Sequence, residues 1–159
     1  MLALAFIIAM PASLSAQKKG KKEAKDERVY QITDEVVVPH TSVKNQAQSG
    51  TCWCFAGIGM VEAEILRKYN VDIDLSEMYL VRWAYTQKFE KFVRMQGTCN
   101  FSPGGEVFDV LYAIENQGMM TEDAYNGLVL GEDRHQHGEL HSVLAEYGKI
   151  VNRKLNGKI

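Results

Sequence analysis

Apolar positions recur with a helical period in four stretches of this chain. From residue 52 to 69, Cys54, Ile58, Val61 and Ile65 stand four and three residues apart, and Leu66 and Tyr69 extend the stripe, which predicts a helix. Gly57 and Gly59 lie inside it and cost about 1 kcal/mol each relative to alanine, so a packing reason is expected, such as close approach of another element. A second helix is predicted after Ser76, a good N-cap with Glu77 in the first turn, running to about Met95. Residues 96–105 (QGTCNFSPGG) break the pattern. Residues 106–117 read as a third helix, with Gly118 placed as its C′ residue. After a loop holding Tyr125, Asn126 and Gly127, a last helix is predicted over residues 134–153. Upstream, residues 29–38 are rich in β-branched side chains and read as extended, and residues 41–51 read as a polar loop ending at a helix start. There is no internal repeat, and nothing after Val38 supplies a sheet or a barrel.

Length and charge narrow the class. The 159 residues suffice for one modest domain. Hydrophobic residues make up 46% and charged residues 24%, the balance of a folded protein. A net charge of -2 and a pI near 6.1 give no electrostatic case for nucleic acid. Three cysteines are too few for a disulfide scaffold. Residues 1–16 (MLALAFIIAMPASLSA) carry no charge, and their strongest apolar run is ten residues long, about 15 Å as helix and half a bilayer core, so it does not span a membrane. The segment reads as a signal peptide cleaved after Ala16, although no basic residue precedes the run and Leu14 is large for its place. Export to the periplasm or outside the cell is the expectation; without a working signal the chain would be cytoplasmic. Residues 17–28 hold six basic and three acidic residues and read as a charged, solvated linker. The domain proper is expected over residues 29–159.

The stretch with chemistry in it is residues 43–55, VKNQAQSGTCWCF. Cys52 falls in the first turn of the predicted helix, where unpaired amides and the helix dipole favour negative charge. A thiol there is favoured as thiolate, the nucleophilic form, and the same amides can stabilise an oxyanion beside the sulfur. Gln46, six residues earlier, can return its side-chain amide as a second oxyanion donor. Trp53 supplies a bulky wall next to the nucleophile. Cys54 points to another side of the helix, so it reads as core and not as a disulfide partner of Cys52; Cys99 reads as a loop thiol.

The pattern N-Q-x-x-S-G-x-C-W-x-F resembles the active-site segment of papain-like cysteine peptidases, and most nearly the bleomycin hydrolase (aminopeptidase C) branch, which likewise has a residue such as Ser49 where the usual papain pattern has a cysteine. The resemblance runs from about Val43 to Tyr125. LSEMYL at residues 75–80 resembles the family's L-S-E-Q-x-L stretch, and IENQGMMTEDAY at 114–125 resembles Y-G-x-x-x-E-x-x-Y-P with the proline replaced by Asn126. What the resemblance implies is an α+β papain-like fold, represented here by its helical N-terminal part, with Cys52 as nucleophile and Gln46 as oxyanion donor. It implies substrate-binding roles for Trp53, Gly104 and Gly105, the paired glycines contacting extended peptide; a plain turn at Gly104-Gly105 explains them nearly as well. It implies a peptide substrate, no cofactor and no metal. The closed homo-oligomer common in that branch depends on C-terminal parts and is not carried over.

A thiol peptidase also needs a base. The family places its His and Asn at least 130 residues beyond the cysteine, and this chain ends at Ile159. None of His40, His135, His137 and His141 stands in the family's catalytic context. The expectation is therefore an N-terminal fragment, inactive or nearly so alone; the competing reading is a non-catalytic peptide-binding module or a truncated remnant. His137 and His141, four apart, invite a zinc reading, but no H-E-x-x-H motif or third ligand accompanies them. Cys52-Trp53-Cys54 is not a C-x-x-C redox pair, and Gly57-Ile58-Gly59 lies within a helix, outside the strand-to-helix context of a dinucleotide fingerprint.

Overall fold

The computed structural model describes residue 33 and residues 36–155. The apolar opening at 1–16, the charged run at 17–28 and most of the predicted extended stretch lie outside the described residues. Four helices follow one another: α1 (Cys52–Tyr69), α2 (Glu77–Arg94), α3 (Val107–Gln117) and α4 (Gly138–Leu155). Among the described residues there is no strand, only two isolated bridges, Gln48 with Gln136 and Leu75 with Thr121. The helical part of a papain-like fold is what the described residues form.

The predicted boundaries hold where cap chemistry fixes them. The Ser76 hydroxyl accepts the amide of Tyr79 at 3.1 Å and starts α2. At α3, Glu106 and Asp109 form a reciprocal capping box, and Gly118, at φ 78°, ends the helix. The fourth helix starts later than predicted, at 138 and not 134. Residues 135–137 are drawn off by the loop before α1: the Gln48 amide donates to the His135 carbonyl at 3.0 Å, and the His137 amide donates to the Gln48 carbonyl at 3.3 Å. His137 therefore precedes α4, and its carbonyl accepts the His141 amide at 2.9 Å.

α1 packs on α2 and α3, α2 packs also on α3 and α4, and α4 lies outermost. The core gathers Trp53, Cys54 and Ile58 from α1, six residues of α2 from Met78 to Phe92, Val110 and Ala113 from α3, and the loop residues Leu75 and Phe101. The predicted stripe of α1 is buried at Cys54 and Ile58, half-buried at Val61 and Ile65, and exposed at Tyr69, where the helix ends in a left-handed Asn70.

One core position is acidic. Glu62 is 1% exposed, and its carboxylate accepts from the Thr41 hydroxyl (2.6 Å), the Lys44 ammonium (2.8 Å) and the Leu75 amide (2.7 Å). Lys44 also reaches Asp74 (2.5 Å) and the buried Glu77 (3.4 Å), and these carboxylates hold its ammonium charged well above the usual lysine range, against the opposing effect of burial. One cation cannot neutralise three carboxylates. Glu77, the farthest from it, is pushed up to about 7 by burial despite Lys44, and the nearby Glu122 charge adds to the rise.

Two predictions follow from this packing. A side chain at Gly57 would meet Val110 Cγ2 at 2.6 Å, whereas nothing lies within 4 Å of one at Gly59. Gly57→Ala should therefore destabilise by about 1–3 kcal/mol through overpacking, and Gly59→Ala should stabilise by up to about 1 kcal/mol, both read from urea unfolding midpoints. The second concerns pH. A carboxyl whose folded value lies above its unfolded value of 4.5 binds a proton more tightly when folded, so stability falls as pH rises from 4.5 through about 7. Glu77→Gln should flatten that slope, which is on the order of 2 kcal/mol across the window, in thermal melts taken between pH 4.5 and 8.

Candidate active site

The loop that delivers Cys52 is tightly self-bonded. Ala47 takes a left-handed conformation (φ 50°) and donates its amide to Asn45 Oδ1 at 2.8 Å; the Ser49 amide donates to the Gln46 carbonyl at 3.2 Å. Gln48 is gripped by residues 135 and 137, as described above. Ser49 and Thr51 are buried, and their hydroxyls bond each other at 2.6 Å. Thr51 occupies the N-cap, yet its side chain caps nothing. The Cys54 and Phe55 amides turn back to the Thr51 carbonyl (2.9 and 3.3 Å), while those of Cys52 and Trp53 have no protein partner among the described residues. No acidic residue lies in the first turn.

Cys52 is exposed at this open, electropositive helix start. Two residues on, Cys54 is fully buried; burial pushes its thiol up to about 12, with the Glu77 charge adding, and its Sγ lies 3.5 Å from the Glu77 carbonyl as a weak donor. Cys99 is half-buried. Gln46 is half-buried in the loop; its Oε1 is buried without a partner, and its Nε2 donates to no protein acceptor among the described residues. Trp53 is 5% exposed and donates its indole N–H to the Pro103 carbonyl at 2.9 Å. The indole lies directly beneath Gly105, where a side chain would meet its ring at 2.8 Å and Asp109 Oδ2 at the same distance. Trp53 thus carries the glycine segment from below. At Gly104 the space is open, with only Ser102 Oγ at 3.8 Å.

The histidines serve other ends. His40 Nδ1 bonds the Thr41 carbonyl at 2.7 Å. His135 and His137 are half-buried, and burial lowers both below the usual imidazole range. His141 stacks on Phe101 with ring centroids 5.4 Å apart. None hydrogen-bonds Cys52. Among the described residues no group of three His, Cys, Asp or Glu side chains is arranged to hold a metal ion, and no helix is long and apolar enough to cross a membrane. Sequence reasoning missed the carboxylate cluster. Its one visible signal was Glu62 itself, an acidic residue on the apolar face four positions after Ile58.

Comparison with known proteins agrees with this geometry. The papain family cysteine protease family matches residues 25–154, and the chain belongs to that family. It is similar to human cathepsin L2, 33% identical over 92 residues covering 58% of this chain and 25% of the relative. It is similar to mouse procathepsin L, 38% identical over 86 residues covering 54% and 23%, and to peptidase 1 of Psoroptes ovis, 35% identical over 85 residues covering 54% and 22%. The chain thus spans about a quarter of the length of these curated relatives.

The cysteines differ enough in environment for a direct check. Iodoacetamide at pH 7 should alkylate Cys52 at least about tenfold faster than Cys54, whose buried thiol is inert in the folded protein, as mapped by peptide mass spectrometry over a time course.

Proposed function

We propose that this chain carries the nucleophile side of a thiol peptidase acting on extended peptides. The observation that carries the reading is Cys52, exposed at a helix start whose first two amides have no protein partner among the described residues. In the proposed chemistry the Cys52 thiolate attacks a peptide carbonyl carbon. The carbonyl electron pair moves onto oxygen, where the Cys52 amide and the Gln46 Nε2 donate to it. Collapse expels the amine, which takes a proton from an acid, and leaves a thioester at Cys52. Water then attacks the thioester, releasing the carboxylic acid and restoring the thiol. The acid and base are proposed to come from residues outside these 159, since no histidine here bonds Cys52.

Within the family we favour an aminopeptidase-like activity of the bleomycin hydrolase type. Ser49, standing where the papain pattern has a cysteine, supports it. Export directed by residues 1–16 is part of the same proposal. A peptide-binding module without turnover is the second reading, supported by a Gly105 amide and carbonyl that have no protein partner among the described residues.

A dipeptidyl chloromethyl ketone tests the reading with this chain as it is. Alkylation of Cys52 needs no added base, and recognition by the glycine segment should speed it relative to iodoacetamide by about tenfold or more beyond the ratio for free cysteine, the worth of one or two hydrogen bonds. Cys52→Ala should abolish labelling at that site. A ratio equal to that of free cysteine would count against any peptide-directed role.

A further inference from the structure

Residues 103–106 are held at every position but one. The Pro103 carbonyl accepts the Trp53 indole N–H at 2.9 Å. The Gly104 carbonyl accepts from the ammonium of Lys88, which reaches across from α2. The Glu106 amide donates to Asp109 Oδ2 at 2.9 Å. Between them, neither the amide nor the carbonyl of Gly105 has a protein partner among the described residues. An extended peptide pairs by exchanging both bonds with one residue of its neighbour, and Gly105 is the residue of this segment free to do so.

Lys88 is the anchor with a double hold. Its Nζ lies 5.1 Å from the centroid of the Trp53 ring, over the indole on which Gly105 rests, so one ammonium fixes both the segment and the platform beneath it. The side chain is half-buried, and that burial disfavours its charge while Asp109 supports it. An ammonium so placed needs an acceptor, and the Gly104 carbonyl is that acceptor. With the carbonyl of Gly104 turned in to Lys88, the unpaired groups of Gly105 are left for a ligand. We infer that Lys88 is a positioning residue that presents the Gly105 backbone to an extended peptide, acting through Gly104 and Trp53 without touching the peptide itself. The inference rests on the peptidase reading above and adds to it a residue that none of the quoted motifs contains.

The test compares two electrophiles on the whole chain, with the concentration dependence of the peptidyl reagent separating its apparent binding constant from its limiting rate. In Lys88→Met the binding constant for the dipeptidyl chloromethyl ketone should weaken about tenfold, as expected for loss of a charge-assisted hydrogen bond. Its limiting rate and the iodoacetamide rate should stay within about twofold of the parent. Lys88→Arg, which keeps the charge and the donors, should recover most of the affinity. Unchanged peptidyl affinity in Lys88→Met would overturn the inference while leaving the peptidase reading standing. Equal slowing with both reagents would overturn it too, since the effect would then lie in the thiol or the fold. If the parent chain itself shows no peptidyl preference, the peptidase reading fails first and takes the role of Lys88 with it.

Discussion

A single buried carboxylate ties this helical assembly to the loop that carries its chemistry. Glu62 sits in the middle of α1, and its three donors come from two places: Thr41 and Lys44 in the loop before α1, and the backbone of Leu75 just ahead of α2. A charge at 1% exposure is tolerable only with its partners complete. Removing one partner of such a buried pair costs about 3–5 kcal/mol, enough to decide whether residues 41–44 stay on α1 at all. From there to Thr51 the loop is held by short-range bonds and by the grip of residues 135 and 137 on Gln48, so the placement of Gln46 and Cys52 rests on that carboxylate together with those two bonds.

The same cluster shows how charge is distributed along α1. Around Glu62 three carboxylates share Lys44, and burial holds the proton on Glu77 to about pH 7 despite that ammonium. At the helix start the situation is opposite: two amides are open, no carboxylate lies in the first turn, and the cysteine is exposed. Glu62 itself stands ten residues along α1 from Cys52, about 15 Å. Cys54, two residues from Cys52, lies against the Glu77 carbonyl, and burial raises its thiol, with the Glu77 charge adding.

Much of this was legible in the chain. Apolar periodicity and cap residues placed α1, α2 and α3 within a residue or so, because Ser76, Glu106 and Gly118 act locally and their signals are local. The start of α4 was not legible, since it is set by Gln48, some ninety residues upstream in sequence. The nucleophile segment stood out from its own spacing. The partners of Glu62 did not, because Thr41, Lys44 and Leu75 lie 13 to 21 residues from it and meet it only in the folded state. Lys88 was hidden for the same reason: on α2 it reads as one more solvated lysine until the fold lays it over Trp53.

The diversion of Thr51 joins these observations. A threonine at an N-cap ordinarily accepts from the first turn, and here that would fill the amide pocket a nucleophile needs. Here the Thr51 hydroxyl caps nothing and bonds Ser49 in a buried pair, and Ser49 donates its own amide to the Gln46 carbonyl. Gly50, between them, packs against Pro103, the residue whose carbonyl binds Trp53. The nucleophile loop and the glycine segment therefore touch at Gly50 and Pro103 and are joined again through the indole. A displacement of either must strain the other, so the open amides at Cys52 and the free backbone of Gly105 are held in one fixed relation by the packing between them.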